Sequence, residues 1–475
     1  MERYDVVIIG GGPGGYVAAI RAGQLGLRTA LVEKEAVGGV CLNWGCIPSK
    51  AILRNAEVVH LIRRGERFGI SYDNLRLDVA AAIDRSRTVV DRMVQGVEFL
   101  LGKHGVTLYR GEGYLHDRTK VEVRPDGTEL EADHIIVATG ASLRSLPGVE
   151  VDGKTVLTSR EALELRTLPR SAVIIGGGPQ GVEFAYFWRA YGVEVTVVEL
   201  LPHLVPGEDE EVSRSLERAF TAQGIGVRTG ARVQAVQRRR NRVAVQVEAG
   251  ADGAGPLEAD LVLLAVGVRA NTEGFGLERL GVALENGFVK VDGRMRTNVP
   301  GVYAIGDVTG PPLLAHVASA QGEVAVEDIA GLAPPALKYD DMPRATYCQP
   351  QVASWGLTER QAKERGYEVR VGKFPMRANG KALAIDETEG FVKVVADARY
   401  GEILGVHMIG PDVTELLSEL SVAKALEATY LEVGRTVHPH PTLAETVREA
   451  ALAVTNEAIH FWTGTPSRAP KEAVR

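Results

Sequence analysis

Asp5-Val6-Val7-Ile8-Ile9-Gly10-Gly11-Gly12-Pro13-Gly14-Gly15 opens the first structural unit of the chain. Its apolar run reads as a buried strand over residues 5 to 9, and the glycine cluster as the turn that follows. A helical pattern then runs from about residue 15 to 25, and a second strand over 28 to 32 is followed by Glu33. Gly10-x-Gly12-x-x-Gly15 between strand and helix has a physical meaning. Gly10 makes the tight turn, Gly12 lets the backbone approach a pyrophosphate, and Gly15 lets the helix pack on the strand. The helix start offers free N–H groups to phosphate, and Glu33 is the acid that accepts from ribose hydroxyls. The segment reads as a dinucleotide-binding βαβ unit.

The pattern recurs. A strand over 171 to 175 leads into Gly176-x-Gly178-x-x-Gly181, and a strand over 194 to 198 ends at Glu199, each counterpart 166 residues on. A second matched pair closes the units: Leu130-Glu-Ala-Asp before His134-Ile-Ile-Val-Ala-Thr-Gly140, and Leu257-Glu-Ala-Asp before Leu261-Val-Leu-Leu-Ala-Val-Gly267. That pair is 127 residues apart, so the first unit is longer by 39 residues, in the region of Cys41 and Cys46. Two nucleotide sites in one chain imply two redox cofactors with electrons passing between them. Leu200-Leu201-Pro202-His203 after Glu199 contains no arginine to neutralise a 2′-phosphate, so the second site reads as one for NAD rather than NADP. Glu199 as a solvated strand-end acid is the alternative.

A chain of 475 residues suggests about three domains at roughly 150 residues each. With 45% hydrophobic and 24% charged residues it is neither disordered nor fibrous. A net charge of -7 gives no basic field for nucleic acid or an anionic membrane. No apolar run is long enough for a membrane span, and the start lacks the features of a signal peptide, so a cytoplasmic protein is expected. The polar stretch from Ser467 onward is expected to fray. Three cysteines exclude a disulfide-stapled secreted scaffold.

Two of the three lie in Gly38-Gly39-Val40-Cys41-Leu42-Asn43-Trp44-Gly45-Cys46-Ile47-Pro48-Ser49-Lys50. Zinc would need further ligands nearby, and none is present. A redox dithiol fits better, because four intervening residues with a glycine can curl into a small ring. Pro48 suits the first turn of a helix from about residue 47, whose dipole stabilises a thiolate. Two buried reduced cysteines remain the alternative on spacing alone.

The stretch resembles the redox-active disulfide motif of the flavoprotein disulfide reductases, and is most similar to the members that oxidise dihydrolipoyl groups. The resemblance takes in both glycine turns, Ala304-Ile305-Gly306-Asp307-Val308, Leu314-Ala315-His316 and the ending of the C-terminal domain. It implies an α/β fold of two duplicated Rossmann-like domains plus a C-terminal α+β dimerisation domain. Tightly bound, non-covalent FAD is expected in residues 1–147 and NAD in residues 148–270. Residues 271–343 are expected to complete the FAD site and 344–475 to dimerise. Cys41 is then the interchange thiol and Cys46 the thiol near the flavin. Lys50 and Glu183 pair beside the isoalloxazine, and Asp307 holds the ribityl chain. Gly113, Thr139, Gly140 and Ala315 complete the implied FAD contacts, and Gly267 and Glu183 those of NAD. Without the resemblance, Lys50 reads as a solvated helix lysine and Asp307 as a turn acid.

Residues 311 to 333 read as one helix ended by Pro334-Pro335. Strands are expected over 351–355, 366–374, 390–395 and 403–409, and helices over 414–426 and from 442 to about 460, an α+β pattern. Thiol–disulfide exchange needs a base, because only the thiolate attacks, and histidine titrates in the right range. Of ten histidines His440 is best placed, with Glu445 five residues on to orient its ring. Thr442-x-x-Glu445 is equally a capping box, so two readings claim one carboxylate. The resemblance implies the first: His438-x-His440-Pro-Thr-x-x-Glu445 looks like the family's catalytic signature, with His440 serving the other subunit of an obligate homodimer and His438 a structural neighbour.

Four positions depart from the family pattern, which usually has Thr at Val40, Val at Trp44, Lys at Val317 and His at Gln349. Trp44 lies between the cysteines, so an altered flavin environment is expected. Cys348 matches no redox position and reads as a core thiol. The implied activity is oxidation of protein-bound dihydrolipoamide with NAD+, on docking to the acyltransferase core of a 2-oxo acid dehydrogenase complex. The alternatives are an NAD(P)H-dependent reductase of another small disulfide and a FAD-bearing scaffold. No metal is expected.

Overall fold

The computed structural model describes residues 2–240, 242–250 and 253–465. The polar ending expected to fray lies outside the described residues. Val6 to Ile9 are buried, so the strand Glu2–Ile9 sits inside its sheet, parallel to Thr29–Glu33 on one side and Thr128–Val137 on the other. Thr107–Arg110 extends this sheet, and Val302–Ala304 pairs in parallel with Thr128–Val137, so a segment near residue 300 returns to the first unit. Helices α1 (Pro13–Gln24), α2 (Gly39–Trp44), α3 (Cys46–Arg63) and α4 (Val79–Lys103) belong to the same unit.

The second sheet is parallel throughout, in the order Gly226–Arg228, Glu194–Val198, Ser171–Ile175, Leu261–Leu264 and Val156–Leu157. Its register repeats the first: Ile9 lies opposite Val32, and Ile175 opposite Val198. Helices α5 (Ser159–Ala162), α6 (Pro179–Ala190) and α7 (Glu210–Ala222) accompany it. Every residue of α6 from Gly181 to Trp188 is buried, and Glu183 is the one charged residue among them. It packs against α3 and so joins the two units.

Helix α8 (Ala315–Ile329) packs on α1 and is shorter than the expected 311–333. Pro311 and Pro312 carry no N–H and hold the chain outside the helix, and Gly331, at φ 78°, turns it away before the Pro334-Pro335 stop. The C-terminal domain is a five-stranded antiparallel sheet in the order Arg344–Thr346, Gln351–Gly356, Ile403–Gly410, Phe391–Asp397 and Val369–Pro375. The expected strand from 366 starts three residues later, because Thr358 and Gln361 form a reciprocal capping box on a short helix, Glu359–Glu364, that Gly366 follows at φ 86°. The last helix is Glu445–Ala453, not 442 to 460. Thr442 donates its hydroxyl to the Pro439 carbonyl instead of capping, and buried Glu449 accepts the amides of Ile459 and His460, which turns the chain back. Among the described residues no helix is long and apolar enough to cross a membrane.

A buried ammonium pins the second unit to the C-terminal domain. Lys393 is 2% exposed and lies 3.1 Å from Asp209, the residue that caps α7. Glu211 at 3.0 Å and Glu359 at 3.1 Å complete the cluster. Burial alone would push the ammonium down, but the three carboxylates outweigh it and leave it raised. Lys393→Met strands Asp209 as a buried charge, and a cost of about 3–5 kcal/mol is expected, read from chemical denaturation.

Candidate active site

Both glycine turns are built alike. A Cβ on Gly15 would stand 1.8 Å from the Gly10 carbonyl oxygen, and one on Gly181 stands 1.9 Å from that of Gly176. Around Gly12 and Gly178, by contrast, a Cβ meets nothing within 4 Å, so each turn presents bare backbone over an open concavity. The Gly11 amide donates to Glu33 Oε2 at 2.6 Å, and the Gly177 amide donates to Glu199 Oε2 at 2.6 Å. The second oxygens accept from Glu35 N at 2.7 Å and Leu201 N at 2.8 Å. Each acid is therefore buried, held at the rim of a helix N-terminus, and free to accept further hydroxyl donors. These features fit a dinucleotide pyrophosphate and ribose twice over.

Cys41 sits in α2 and Cys46 starts α3. Gly45 breaks the helix between them, and the two are joined as a disulfide with Cα atoms 4.7 Å apart. The redox turn is fastened to the first cradle: the Gly38 amide donates to the Gly11 carbonyl at 2.8 Å, and a Cβ on Gly39 would stand 2.8 Å from Gly12 Cα. Lys50, one turn into α3, places Nζ 3.0 Å from both carboxylate oxygens of Glu183 and 4.4 Å from the centre of the Tyr347 ring. Glu183 also accepts the Tyr347 amide at 3.0 Å. Sequence reading missed Tyr347; it carries no motif, and only the fold brings it to this pair.

The Asp307 carboxyl is half-buried, accepts no hydrogen bond among the described residues, and is raised from the ordinary carboxylate range by burial. Such an acid wants a hydroxyl donor. Its neighbour Gly306 is fixed by Gln321, which accepts the amide at 2.6 Å, and Ala315 opens α8 on the same side of the fold. The Thr139 hydroxyl donates to the Asn271 carbonyl at 2.7 Å, and Asn271 returns a bond to the Thr139 carbonyl at 2.9 Å. Gly140 and Gly267 both take left-handed backbone, at φ 68° and 87°. Gly113 lies against the end of the first strand, where a Cβ would stand 2.9 Å from Ile9.

His440 is 77% exposed, with Nδ1 2.9 Å from Glu445 Oε1. The other oxygen of the same carboxylate accepts the Thr442 amide at 2.9 Å. One carboxylate thus reaches both the imidazole and the Thr442 amide, but the reciprocal capping box is not formed, because the helix starts at Glu445 and the Thr442 hydroxyl goes to Pro439. Burial works to raise this carboxyl, but the Thr442 amide and the imidazole outweigh it and hold it lowered. The carboxylate therefore survives as pH falls through the usual range and is lost only below it. The His438 side chain is only 4% exposed and bonds Glu419 at 2.7 Å. Cys348 is fully buried, donates to the Pro350 carbonyl, and is pushed far above the ordinary thiol range by burial. Val317 is buried in α8, and the Gln349 carbonyl accepts from Gln223 at 2.8 Å. No group of three or more potential metal ligands exists among the described residues.

Two nucleotide cradles, a dithiol seated against the first and an antiparallel C-terminal sheet define a class. The chain belongs to the pyridine nucleotide-disulphide oxidoreductase family, whose model matches residues 4–322, with the family's dimerisation domain matching residues 342–451. Among curated relatives, a dihydrolipoyl dehydrogenase of Chlorobaculum tepidum is 48% identical over 453 residues, 95% of this chain and 97% of that protein. A dihydrolipoyl dehydrogenase of Bacillus subtilis is 46% identical over 97% of this chain and 99% of its own length. The solved structure of LpdA from Mycobacterium tuberculosis superposes with a TM-score of 0.87 at 30% identity, covering 95% of this chain and 99% of that one.

The open faces of the middle glycines separate binding from folding. Gly178→Ala is expected to leave stability within about 0.5 kcal/mol while weakening NADH binding measured by fluorescence titration. Gly181→Ala, forced against a carbonyl, is expected to cost about 1–3 kcal/mol in denaturation.

Proposed function

We propose that this chain oxidises protein-bound dihydrolipoyl groups with NAD+, using Cys41 and Cys46 as its redox dithiol. The observation that carries the reading is the disulfide seated on the first of two matching nucleotide cradles, with Lys50 and Glu183 paired across to the second. FAD in the first cradle and NAD in the second supply the conversion of two-electron thiol chemistry into hydride transfer. The first cradle would hold its nucleotide through Gly10, Gly12, Gly15, Glu33 and Asp307, and the second through Gly176, Gly178, Gly181 and Glu199.

The residues of the chain divide the thiol work. Cys41 takes the attack of the substrate thiolate, forming a mixed disulfide and releasing Cys46 as a thiolate at the start of α3, where free backbone N–H groups favour the anion. The second substrate thiol then displaces Cys41, closes the lipoyl ring and leaves both enzyme thiols reduced. His440, its ring fixed by Glu445, takes the substrate proton, and its outer nitrogen Nε2 is the one left free to do so. Exposure of His440 and of Val437, 92% exposed, within the dimerisation domain supports a homodimer in which one copy's base serves the other's disulfide. Docking to an acyltransferase core of a 2-oxo acid dehydrogenase complex, in the cytoplasm, completes the reading.

Anaerobic titration of the flavin-loaded protein with dihydrolipoamide tests it. A long-wavelength thiolate-to-flavin absorbance band is expected in the wild type and is lost in Cys46→Ser; an unchanged spectrum in the wild type refutes the function. His440→Gln is expected to lower dihydrolipoamide turnover by about 10²–10⁴ and to spare NADH oxidation by a dye acceptor, which needs no thiol exchange. NADPH-dependent reduction of another disulfide is the second reading. Glu199, followed by exposed Leu200 and Leu201, favours NAD, so NADH is expected to reduce the flavin faster than NADPH in stopped flow.

A further inference from the structure

The turn between the two cysteines is braced on three sides by groups that the thiol exchange does not use. Asn43 faces inward, donating from Nδ2 to the Val37 carbonyl at 3.0 Å and the Gly39 carbonyl at 2.9 Å. Arg87 of α4 donates to the Asn43 carbonyl at 2.7 Å. On another side the Arg160 guanidinium lies over the Trp44 ring, 4.0 Å from its centre. The same guanidinium pairs with Glu35, whose amide is bonded to the nucleotide acid Glu33. Arg160 belongs to α5, directly after the strand Val156–Leu157 of the second sheet, and α5 is anchored by the Thr158–Glu161 capping box. One side chain therefore ties the second unit to the redox turn and to the rim of the first cradle together. Valine, which the family resemblance expects at position 44, has no π face to receive a cation.

Reduction turns this contact into a determinant of reactivity. Once the S–S bond opens, Cys41 and Cys46 belong to two helices hinged at Gly45, and any freedom of α2 dilutes one thiol relative to the other. A contact that fixes α2 raises the effective concentration of each thiol at its partner and favours ring closure. We propose that Arg160 and Trp44 are positioning residues that clamp the Cys41–Cys46 turn to the second nucleotide unit and bias the dithiol toward its disulfide. The proposal rests on the redox role assigned above to these cysteines.

The test is an equilibrium, not a rate. Full-length flavin-loaded protein is held anaerobically in mixtures of reduced and oxidised dithiothreitol. In the exchange the enzyme disulfide accepts two electrons and two protons, and the reagent gives up both and closes to its cyclic disulfide. Acid quenching, alkylation and mass spectrometry then count free Cys41 and Cys46. Arg160→Leu and Trp44→Val are each expected to shift the equilibrium toward the dithiol by about threefold to tenfold. The double variant should shift it no further than either single one, because both remove the same contact. Trp44→Phe, which keeps a π face, and Arg160→Lys, which keeps a cation, are expected to restore part of the wild-type ratio; a merely structural role would not predict that rescue. Variants with full flavin content and the wild-type ratio overturn the clamp. If Trp44→Val fails to hold flavin, the Arg160→Leu and Arg160→Lys pair decides alone. A wild type whose cysteines never exchange would instead sink the redox role itself.

Discussion

A backbone amide in each glycine turn donates to a buried glutamate, and most of the molecule is arranged around those two hydrogen bonds. Gly11 to Glu33 and Gly177 to Glu199 join the end of one strand to the end of the next, so that turn, helix start and acid form one rigid rim. The near-contact of the third glycine with the first carbonyl adds a steric lock, since no side chain fits there. Once the first rim is rigid, the Gly38 amide can bond to it, and the dithiol inherits its position from the nucleotide turn.

The duplication, both acids and the dithiol were legible in the sequence because each is a local pattern with a fixed spacing. The strand registers follow from the same periodicity, which is why Ile9 and Ile175 face equivalent partners. What was not legible depends on long-range packing. Tyr347 meets Lys50 only because the C-terminal sheet folds onto the second unit, and Arg160 meets Trp44 across two domains. Helix ends were misjudged where side chains override pattern: Glu449 bends back the chain that apolar periodicity would carry on to residue 460. The role of Glu445 was framed as a choice because sequence spacing cannot show that a carboxylate has two oxygens pointing at two partners.

Charged contacts join the domains beside an apolar cluster that runs from Ile52 through Phe184 to Phe391, and their burial decides their weight. Lys393 and Asp209, both nearly inaccessible, hold the second unit to the C-terminal sheet in a geometry that solvent screens little. The Arg166–Asp84 pair, exposed on both sides, spans the same pair of units as Lys50–Glu183 but adds little to holding them together. Energetically important joins therefore lie inside, and the surface pairs mainly orient.

Helix α6 begins at the second cradle and carries Glu183 one turn later, so a single twelve-residue rod has one end at the second glycine turn and its flank at Lys50. Packed on all sides, it has no hinge with which to isolate these duties. Any tilt that reshapes the phosphate cradle rotates the partner of Lys50 through the same angle. The two nucleotide sites are thus geared together, and drift at one must be matched by accommodation at the other.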